Sequence, residues 1–166
     1  MRIVLALALT AFSSLVAQTA DAEVYAGFNI GQFEHTSSNR NNTGFNVFAA
    51  VRLTDRILLE GGPVYPGRLR DNEPVTKGFS IQALGLFPVG EKYDFFIKGG
   101  LYDWEVERRT VKFYAGRDPM VGIGAHRYIS NDFALRVELN RLSGVRSGDV
   151  DWISIGFIRW FRELGN

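Results

Sequence analysis

One short stretch of the sequence holds the residue types of a nucleophilic hydrolase. Glu34, His35, Ser37 and Ser38 stand almost side by side, and a serine activated by a histidine that an acid orients can attack an acyl bond. The stretch shows no spacing or motif of a known enzyme of this kind, and a histidine at the base of a loop is more often a polar rim residue. Catalysis therefore remains a minor alternative, and we expect that the protein is not an enzyme.

Other chemistries find less support in the sequence. The chain contains no cysteine, which excludes a disulfide framework, and it has no HExxH or other metal-ligand spacing. Gly122-Ile123-Gly124 lacks the third glycine and the following helix of a nucleotide-binding loop, so these glycines favour tight packing instead. The formal net charge is +1, which gives no reason to expect nucleic acid as a partner. We expect no cofactor and no metal.

The first 22 residues have the pattern of an export signal. Arg2 supplies a positive charge, residues 3–16 are apolar or small, and Ala20-Asp21-Ala22 matches an A-x-A cleavage site. The apolar run is shorter than the roughly 20 residues of a transmembrane helix. We therefore predict a signal peptide over residues 1–22, cleaved after Ala22, and one barrel domain over residues 23–166.

The rest of the chain divides into eight extended segments of period-two alternation, each about ten residues long. Eighteen glycines and 22 aromatic residues accompany only five prolines, a composition typical of short, even strands in a barrel. The predicted strands are Val24–His35, Thr43–Leu53, Ile57–Val64, Gly78–Phe87, Asp94–Val106, Met120–Ile129, Phe133–Leu142 and Trp152–Phe161.

The connections between these segments alternate between short and long. Residues 54–56, 88–93 and 130–132 are short, whereas residues 36–42, 65–77, 107–119 and 143–151 are longer and polar. Short turns at one end and long loops at the other are the arrangement of outer-membrane barrels, with the short turns in the periplasm. The pattern thus predicts an all-β, eight-stranded antiparallel up-and-down transmembrane β-barrel.

The alternation also separates two faces on each strand. Leu135, Val137 and Leu139 share one face of their segment, and Arg136 and Glu138 share the other. A soluble barrel of the lipocalin type, the alternative, would turn the apolar set inward, where it is too bulky. We predict the reverse, with apolar side chains toward lipid and small or charged side chains in a narrow lumen.

Aromatic residues concentrate near the predicted strand ends, which we interpret as interfacial belts. Two arginines fall on the lipid face near the short turns, where long stems can reach the interface. The arginines are Arg127 and Arg159, and the aromatic residues are Tyr25, Phe33, Tyr65, Phe87, Tyr93, Phe95, Trp104, Tyr128, Phe133, Trp152, Trp160 and Phe161.

Taken in order, the segments resemble the OmpA-type transmembrane barrels, a group that also contains small adhesin barrels such as OmpX and Ail. The resemblance covers residues 23–161. It is carried by short stretches whose order and spacing match: Tyr25-Ala-Gly-Phe-Asn-Ile-Gly31, Leu59-Glu60-Gly-Gly62, Gly99-Gly100-Leu101 with Trp104, Leu135-Arg-Val-Glu138 and Ile153-Ser-Ile-Gly-Phe157.

The resemblance implies a charge network in the lumen, formed here by Glu60, Lys98, Arg136, Glu138 and His126. Leu84 and His126 stand where the family has a lysine and a glutamate, so we do not expect the family's gating exchange. Eight strands leave an interior just wide enough for side chains, which predicts a filled lumen. A weak ion-conducting pore and a lipid A-modifying enzyme remain as alternatives.

The long loops carry a basic patch that comprises Arg68, Arg70, Arg108, Arg109, Lys112 and Arg117. These cations form either a solvated rim that touches lipopolysaccharide phosphates or an adhesive surface for a host or other polyanion. Phe161 near the chain end resembles the signal read by the barrel-assembly machinery. Because the chain ends at Asn166, we expect no peptidoglycan-binding domain. The predicted function is a structural or adhesive barrel that contacts outer-membrane lipids.

Overall fold

The computed structural model describes residues 23–36, 40–67, 76–106, 114–144 and 148–161. These residues form eight strands, and each strand pairs antiparallel with the next until β8 pairs with β1 to close a barrel. The predicted eight-stranded antiparallel barrel is confirmed. The strands are β1 (Val24–His35), β2 (Arg40–Thr54), β3 (Ile57–Gly67), β4 (Thr76–Val89), β5 (Tyr93–Val106), β6 (Tyr114–Tyr128), β7 (Phe133–Leu142) and β8 (Val150–Phe161).

Short turns join the strands at one end, which we call the turn end. The hydroxyl of Thr54 accepts hydrogen bonds from the backbone N–H groups of Arg56 (3.3 Å) and Ile57 (3.1 Å) in the first turn. Gly90 turns the chain between β4 and β5 at a φ of 68°, which side chains with a Cβ rarely adopt. The opposite end, the loop end, carries the other four connections; residues 68–75, 107–113 and 143–149 are longer than any turn, whereas residues 36–39 are as short as the turn at residues 129–132.

Several strands extend further toward the loop end than the sequence predicts. The largest difference is in β6, which begins at Tyr114 rather than Met120. Toward the loop end the outward side chains become polar, as Arg117 and Asp103 are, and inward side chains such as Trp104 become apolar, so the alternation that marks the middle of a strand disappears there. Arg117, predicted to lie in a loop, is therefore a strand residue whose side chain faces outward and pairs with Asp103 of β5 at 2.8 Å.

The outer surface of the barrel is apolar around its middle. Side chains such as Ile97, Ile123 and Ile155 are more than half exposed, and a protein in water rarely shows so continuous an apolar surface. The predicted lipid-facing residues Leu139 and Ile153 belong to this band, and it matches the outward band of transmembrane barrels. Among the described residues, no helix is long and apolar enough to cross a membrane.

The interior is filled by three layers of side chains. A polar layer in the middle lies between two apolar layers, which we call the loop-end plug and the turn-end plug. The loop-end plug consists of Phe33, Val64, Tyr102, Trp104, Met120, Leu142, Val150 and Trp152. The turn-end plug consists of Tyr25, Phe48, Ala50, Leu58, Leu84, Leu86, Phe96, Ala134, Ile158 and Trp160.

These plugs correct the interpretation of the aromatic residues as interfacial belts. Phe87, Tyr93, Phe95 and Phe161 do face outward near the turn end and fit a belt. Other aromatic residues of the predicted belt, however, are buried inside the barrel, because they occupy strand positions whose side chains point into the lumen. These inward rings are Tyr25, Phe33, Trp104, Trp152 and Trp160.

Glycines on neighbouring strands make room for these large rings. A Cβ atom added at Gly116 of β6 would lie 2.6 Å from Cζ2 of Trp104, much closer than real side chains approach. The indole N–H of Trp104 in turn donates to the carboxylate of Asp118 at 2.5 Å. Glycine at this position thus allows the loop-end plug to close across a narrow barrel.

Candidate functional site: the lumenal charge layer

The charged side chains of the polar layer between the plugs come from three strands. Glu60 lies on β3, Lys98 on β5, and Arg136 and Glu138 on β7 two residues apart, so alternation points both toward the lumen. Their exposed fractions are between 0% and 5%. The structure therefore brings together all four charged residues that the resemblance implied.

The Arg136 guanidinium is the centre of this layer. Its two terminal nitrogens donate to the two oxygens of Glu60 at 2.5 Å and 3.0 Å. Its Nε donates to Oε2 of Glu138 at 2.9 Å, and Nη2 lies 2.7 Å from the same oxygen. One guanidinium therefore bridges two carboxylates on opposite sides of the lumen, which is the planar, forked geometry that arginine suits.

Lys98 completes the network. Its ammonium lies 2.8 Å from Oε2 of Glu138 and 3.8 Å from Oε1 of Glu60. Gly122 on β6 leaves the space for its stem, since a Cβ there would lie 2.9 Å from Cε of Lys98. Two cations and two carboxylates make the layer neutral, so no net charge is buried.

Neutral partners hold the charged groups in place. The Tyr25 hydroxyl donates to Glu60 at 2.6 Å, and the Asn29 amide donates to Oε1 of Glu138 at 2.7 Å. The rings of Phe48 and Phe96 lie 4.6 Å and 4.7 Å from the carbon of the Arg136 guanidinium, which is cation–π distance.

The resemblance named none of these neutral partners. The sequence does contain a signal for them, however. Tyr25 and Asn29 lie on the same face of β1 as Gly31, and Phe48 lies on the same face of β2 as Asn46 and Ala50, which is the inward face in both strands.

Such an arrangement suits rigidity rather than proton transfer. A charge taken out of water without a partner costs several kcal/mol, and removal of one member of a buried pair typically costs about 3–5 kcal/mol. Here both carboxylates accept from at least two donors each, so neither is left to act as a general base. The chemistry that the layer supports is mutual neutralisation across the lumen.

His126, which we predicted to be a member of the network, lies beside it and forms none of its hydrogen bonds. It is fully buried, and its ring lies 4.8 Å from that of Phe96 and 6.2 Å from that of Tyr25. Neither ring nitrogen has a hydrogen-bond partner in the described part of the chain, and the same holds for the side-chain amide of Asn140. Buried polar atoms of this kind are usually bonded to ordered water.

Of the stretch with hydrolase-type residues, the structure describes Glu34 and His35, and it places them on opposite faces of β1. His35 is buried inside the barrel mouth, with 1% of its surface exposed, and is therefore not an exposed rim residue. Glu34 lies on the opposite, outward face of β1, so the acid cannot orient the imidazole. Ser37 and Ser38 lie outside the described residues. Within the described ranges, no group of three or more potential metal ligands occurs.

Most of the predicted basic patch lies outside the described residues: Arg68, Arg70, Arg108, Arg109 and Lys112. The sixth member, Arg117, is exposed on β6 and neutralised by Asp103. The predicted signal peptide and its cleavage site also lie outside the described residues.

Comparisons with solved structures show the same fold. The N-terminal β-barrel domain of Pseudomonas aeruginosa OprF is 14% identical, with a TM-score of 0.60, and the match covers 82% of this chain and 97% of that one. Ail, the attachment invasion locus protein of Yersinia pestis, is 12% identical with a TM-score of 0.60, over 85% and 98% of the two chains.

Two further structures extend this comparison. Neisserial surface protein A is 16% identical with a TM-score of 0.59, over 84% and 97% of the chains. A second structure of Ail contains the heparin analogue sucrose octasulfate; it is 13% identical with a TM-score of 0.57, over 85% and 98% of the chains. At these identities the likeness shows the fold alone.

The search of the curated proteins gives no match. A family model, by contrast, matches residues 4–157, which is nearly the whole sequence, and describes an outer membrane protein β-barrel domain. The closed eight-stranded barrel and its apolar outer band agree with that description. The chain belongs to the family of outer membrane protein β-barrel domains.

Proposed function

We propose that this protein is a non-catalytic outer-membrane barrel with a closed lumen, which serves as a rigid scaffold for loops that adhere to polyanionic surfaces. The observation that carries the proposal is the neutral network of Glu60, Lys98, Arg136 and Glu138 between two apolar plugs. A transport pathway or an active site needs accessible polar groups in the lumen. Here the charged groups are buried and bonded to one another.

The plugs support the closed state at both ends of the lumen. At the loop end the rings of Phe33 and Trp152 stack at 4.5 Å. At the turn end Trp160 packs on Tyr25 at 4.7 Å, and the guanidinium of Arg52 lies 4.9 Å from the Trp160 ring. A hydrated ion would have to displace these apolar layers as well as break the network.

The distribution of charge on the barrel wall supports the assignment of adhesion to the loops. On the outer face of the strands near the loop end, Lys77, Arg117 and Arg141 each pair with an acid on the adjacent strand. Paired cations contribute little net charge to a polyanion. Affinity for a sulfated or phosphorylated surface would therefore come from the loop cations at positions 68, 70, 108, 109 and 112. The heparin analogue bound to Ail supports the same ligand class for a barrel of this fold.

Binding of the folded barrel to immobilised heparin tests the adhesive role. We expect the heparin column to retain the protein and the retention to weaken as the salt concentration rises, because salt screens the attraction between cations and a polyanion. The Arg108→Glu/Arg109→Glu variant should lose retention, whereas the control Arg117→Gln should keep it, since Arg117 is already paired with Asp103. Equal retention by the charge-reversed variant and the unchanged protein would refute the role of the loops.

The membrane partners in this proposal are phospholipid, lipopolysaccharide and the barrel-assembly machinery. Phe161 supports the last of these, because its exposed ring ends β8 on the outer surface. We also infer that export removes residues 1–22, because their positive charge, apolar run and A-x-A pattern are those of a signal peptide. Sequencing of the protein from an outer-membrane fraction should begin at Glu23, and any other first residue would contradict the cleavage site.

A further inference from the structure

Cations on the outer face of the strands differ between the two ends of the barrel. At the loop end Lys77 lies 3.2 Å from Glu105, and Arg117 lies 2.8 Å from Asp103. Arg141 donates two hydrogen bonds of 2.7 Å to the two oxygens of Asp151. In each case the acid is the residue directly opposite on the neighbouring strand. These cations are therefore neutralised within the barrel wall.

Arg127 and Arg159 are the outward strand cations near the turn end, and they have no such partner. The residues opposite Arg127 are Tyr93 and Leu135, and those opposite Arg159 are Phe133 and Ala26. Within the described ranges neither arginine forms an ion pair. Two guanidinium groups thus face the edge of the apolar band with free donors.

The two arginines flank a single strand. Arg127 lies on β6 and Arg159 on β8, so β7 and its Phe133 lie between them, and the two backbones are about 10 Å apart at the usual strand spacing. On β7, Leu135 is opposite Arg127 and Phe133 is opposite Arg159. Phe133 is two residues nearer the turn end than Leu135, so the two arginines are offset by two residues along the strands. The tilt of barrel strands, about 35–45°, compensates for this offset and brings both arginines to nearly the same height.

Aromatic rings hold the Arg159 side chain in this region. Its guanidinium carbon lies 5.5 Å from the Phe133 ring centre and 5.2 Å from that of Phe161. Ring faces attract a cation without accepting its strong N–H hydrogen bonds, so the donors stay available. Asp132, next to Phe133, is tied to β8 through its backbone carbonyl, which accepts from the Trp160 N–H at 2.8 Å. Its carboxylate does not pair with Arg159.

An apolar groove lies on the outward face of β6, the face that also carries Arg127 two residues beyond Ala125. It has a volume of about 410 Å³ and runs along the outside of β6, where Gly124 and Ala125 form a low floor between taller side chains on β5 and β7. The walls are formed by Phe95, Ile97, Val137 and Leu139. Its apolar lining suits a hydrocarbon chain.

We propose that Arg127 and Arg159 bind the phosphate of an anionic glycerophospholipid, one of whose acyl chains occupies the groove over Gly124 and Ala125. The turn end faces the periplasm in barrels of this kind, so the site lies in the inner, phospholipid leaflet. Two arginines around one phosphate provide forked, charge-assisted hydrogen bonds, which are about twice as strong as neutral ones. The loop end, where lipopolysaccharide phosphates lie, has its wall cations already paired.

Native mass spectrometry of the folded barrel in an equimolar mixture of phosphatidylglycerol and phosphatidylethanolamine tests this site. We expect one retained phosphatidylglycerol, preferred by about tenfold, the factor that corresponds to roughly 1.4 kcal/mol. The Arg127→Gln/Arg159→Gln variant should lose the preference. The matched control Arg117→Gln/Arg141→Gln removes the same number of charges at the loop end and should keep it. Heat-dependent gel mobility verifies that each variant is folded.

A second variant tests the groove separately from the charge. Ala125→Phe fills the floor of the groove and leaves both arginines in place, so it should reduce retention of the lipid but preserve headgroup preference. The proposal is overturned if the Arg127→Gln/Arg159→Gln variant retains phosphatidylglycerol like the unchanged protein, or if the loop-end control loses it equally. Retention of lipid A in place of phosphatidylglycerol at the same arginines would also overturn it. These outcomes do not depend on whether the loops bind heparin.

Discussion

Because the lumenal layer is neutral, the effects of substituting Glu60 and Lys98 on the free energy of unfolding should depend on each other. Glu60→Gln keeps the shape of the side chain but leaves Arg136 and Lys98 facing a single carboxylate, Glu138. Lys98→Met leaves two carboxylates to share Arg136. Each single change therefore leaves one buried charge without compensation, and we expect each to reduce the free energy of unfolding by about 3–5 kcal/mol.

The double variant Glu60→Gln/Lys98→Met restores neutrality. Arg136 and Glu138 remain, still joined by the 2.7 Å and 2.9 Å contacts of Nη2 and Nε. If the single costs were independent, the double variant would lose about 6–10 kcal/mol. We expect a loss smaller than that sum by about 1–3 kcal/mol, the coupling typical of residues in one network.

Urea unfolding of the barrel in phospholipid vesicles measures these differences. Trp104, Trp152 and Trp160 lie inside the barrel, so their fluorescence reports its opening, and heat-dependent gel mobility provides a second probe. The control is Asp103→Asn/Arg117→Gln, which removes an exposed pair and should leave the midpoint unchanged. Strict additivity of the two lumenal changes, or single costs as small as those of the control, would refute the reasoning.

Three further predictions follow from the plugs and the barrel mouth. Gly116→Val should destabilise the barrel by about 1–3 kcal/mol through overpacking against Trp104, measured by urea unfolding; an unchanged midpoint would mean that the ring is free to move. Trp160→Ala should reduce the free energy of unfolding by about 3–5 kcal/mol, as the loss of a buried aromatic side chain does. A reduction no larger than that of the Asp103→Asn/Arg117→Gln control would show that the turn-end plug is not packed. Expression of the protein should leave the mass spectrum of lipid A unchanged because Glu34 and His35 face opposite ways; a new lipid A species that disappears with His35→Ala would contradict this.

The alternation of side chains predicted the fold closely. β1 and β7 have the predicted bounds, Val24–His35 and Phe133–Leu142. In the middle of β7, for example, the outward residues Leu135, Val137 and Leu139 alternate with the inward residues Arg136 and Glu138. The start of β6 at Tyr114 was not predicted, because Ala115–Pro119 lies beyond the apolar band. There hydrogen bonds and ion pairs, such as that of Arg117 with Asp103, replace hydrophobicity as the signal.

The lumen was predictable in part. The charged members of the network followed from the resemblance, since charges at the middle of membrane strands must face inward. The plugs were missed because aromatic residues near strand ends suit both an interfacial belt and a barrel interior. Alternation along the strand distinguishes a belt from the interior. Trp152 and Trp160 are separated from Ser154 and Gly156 by even numbers of residues, so all four point into the lumen. The pairing geometry around Arg136 could not be predicted from the sequence, because it joins strands that lie far apart along the chain.

Conductance across a planar lipid bilayer tests the closed lumen most directly. The purified, folded barrel should produce no large stable pore, because two apolar plugs and the paired charges of Glu60, Lys98, Arg136 and Glu138 fill its interior. A robust and reproducible conductance on the order of a nanosiemens, as wider barrels with an aqueous channel support, would contradict the account.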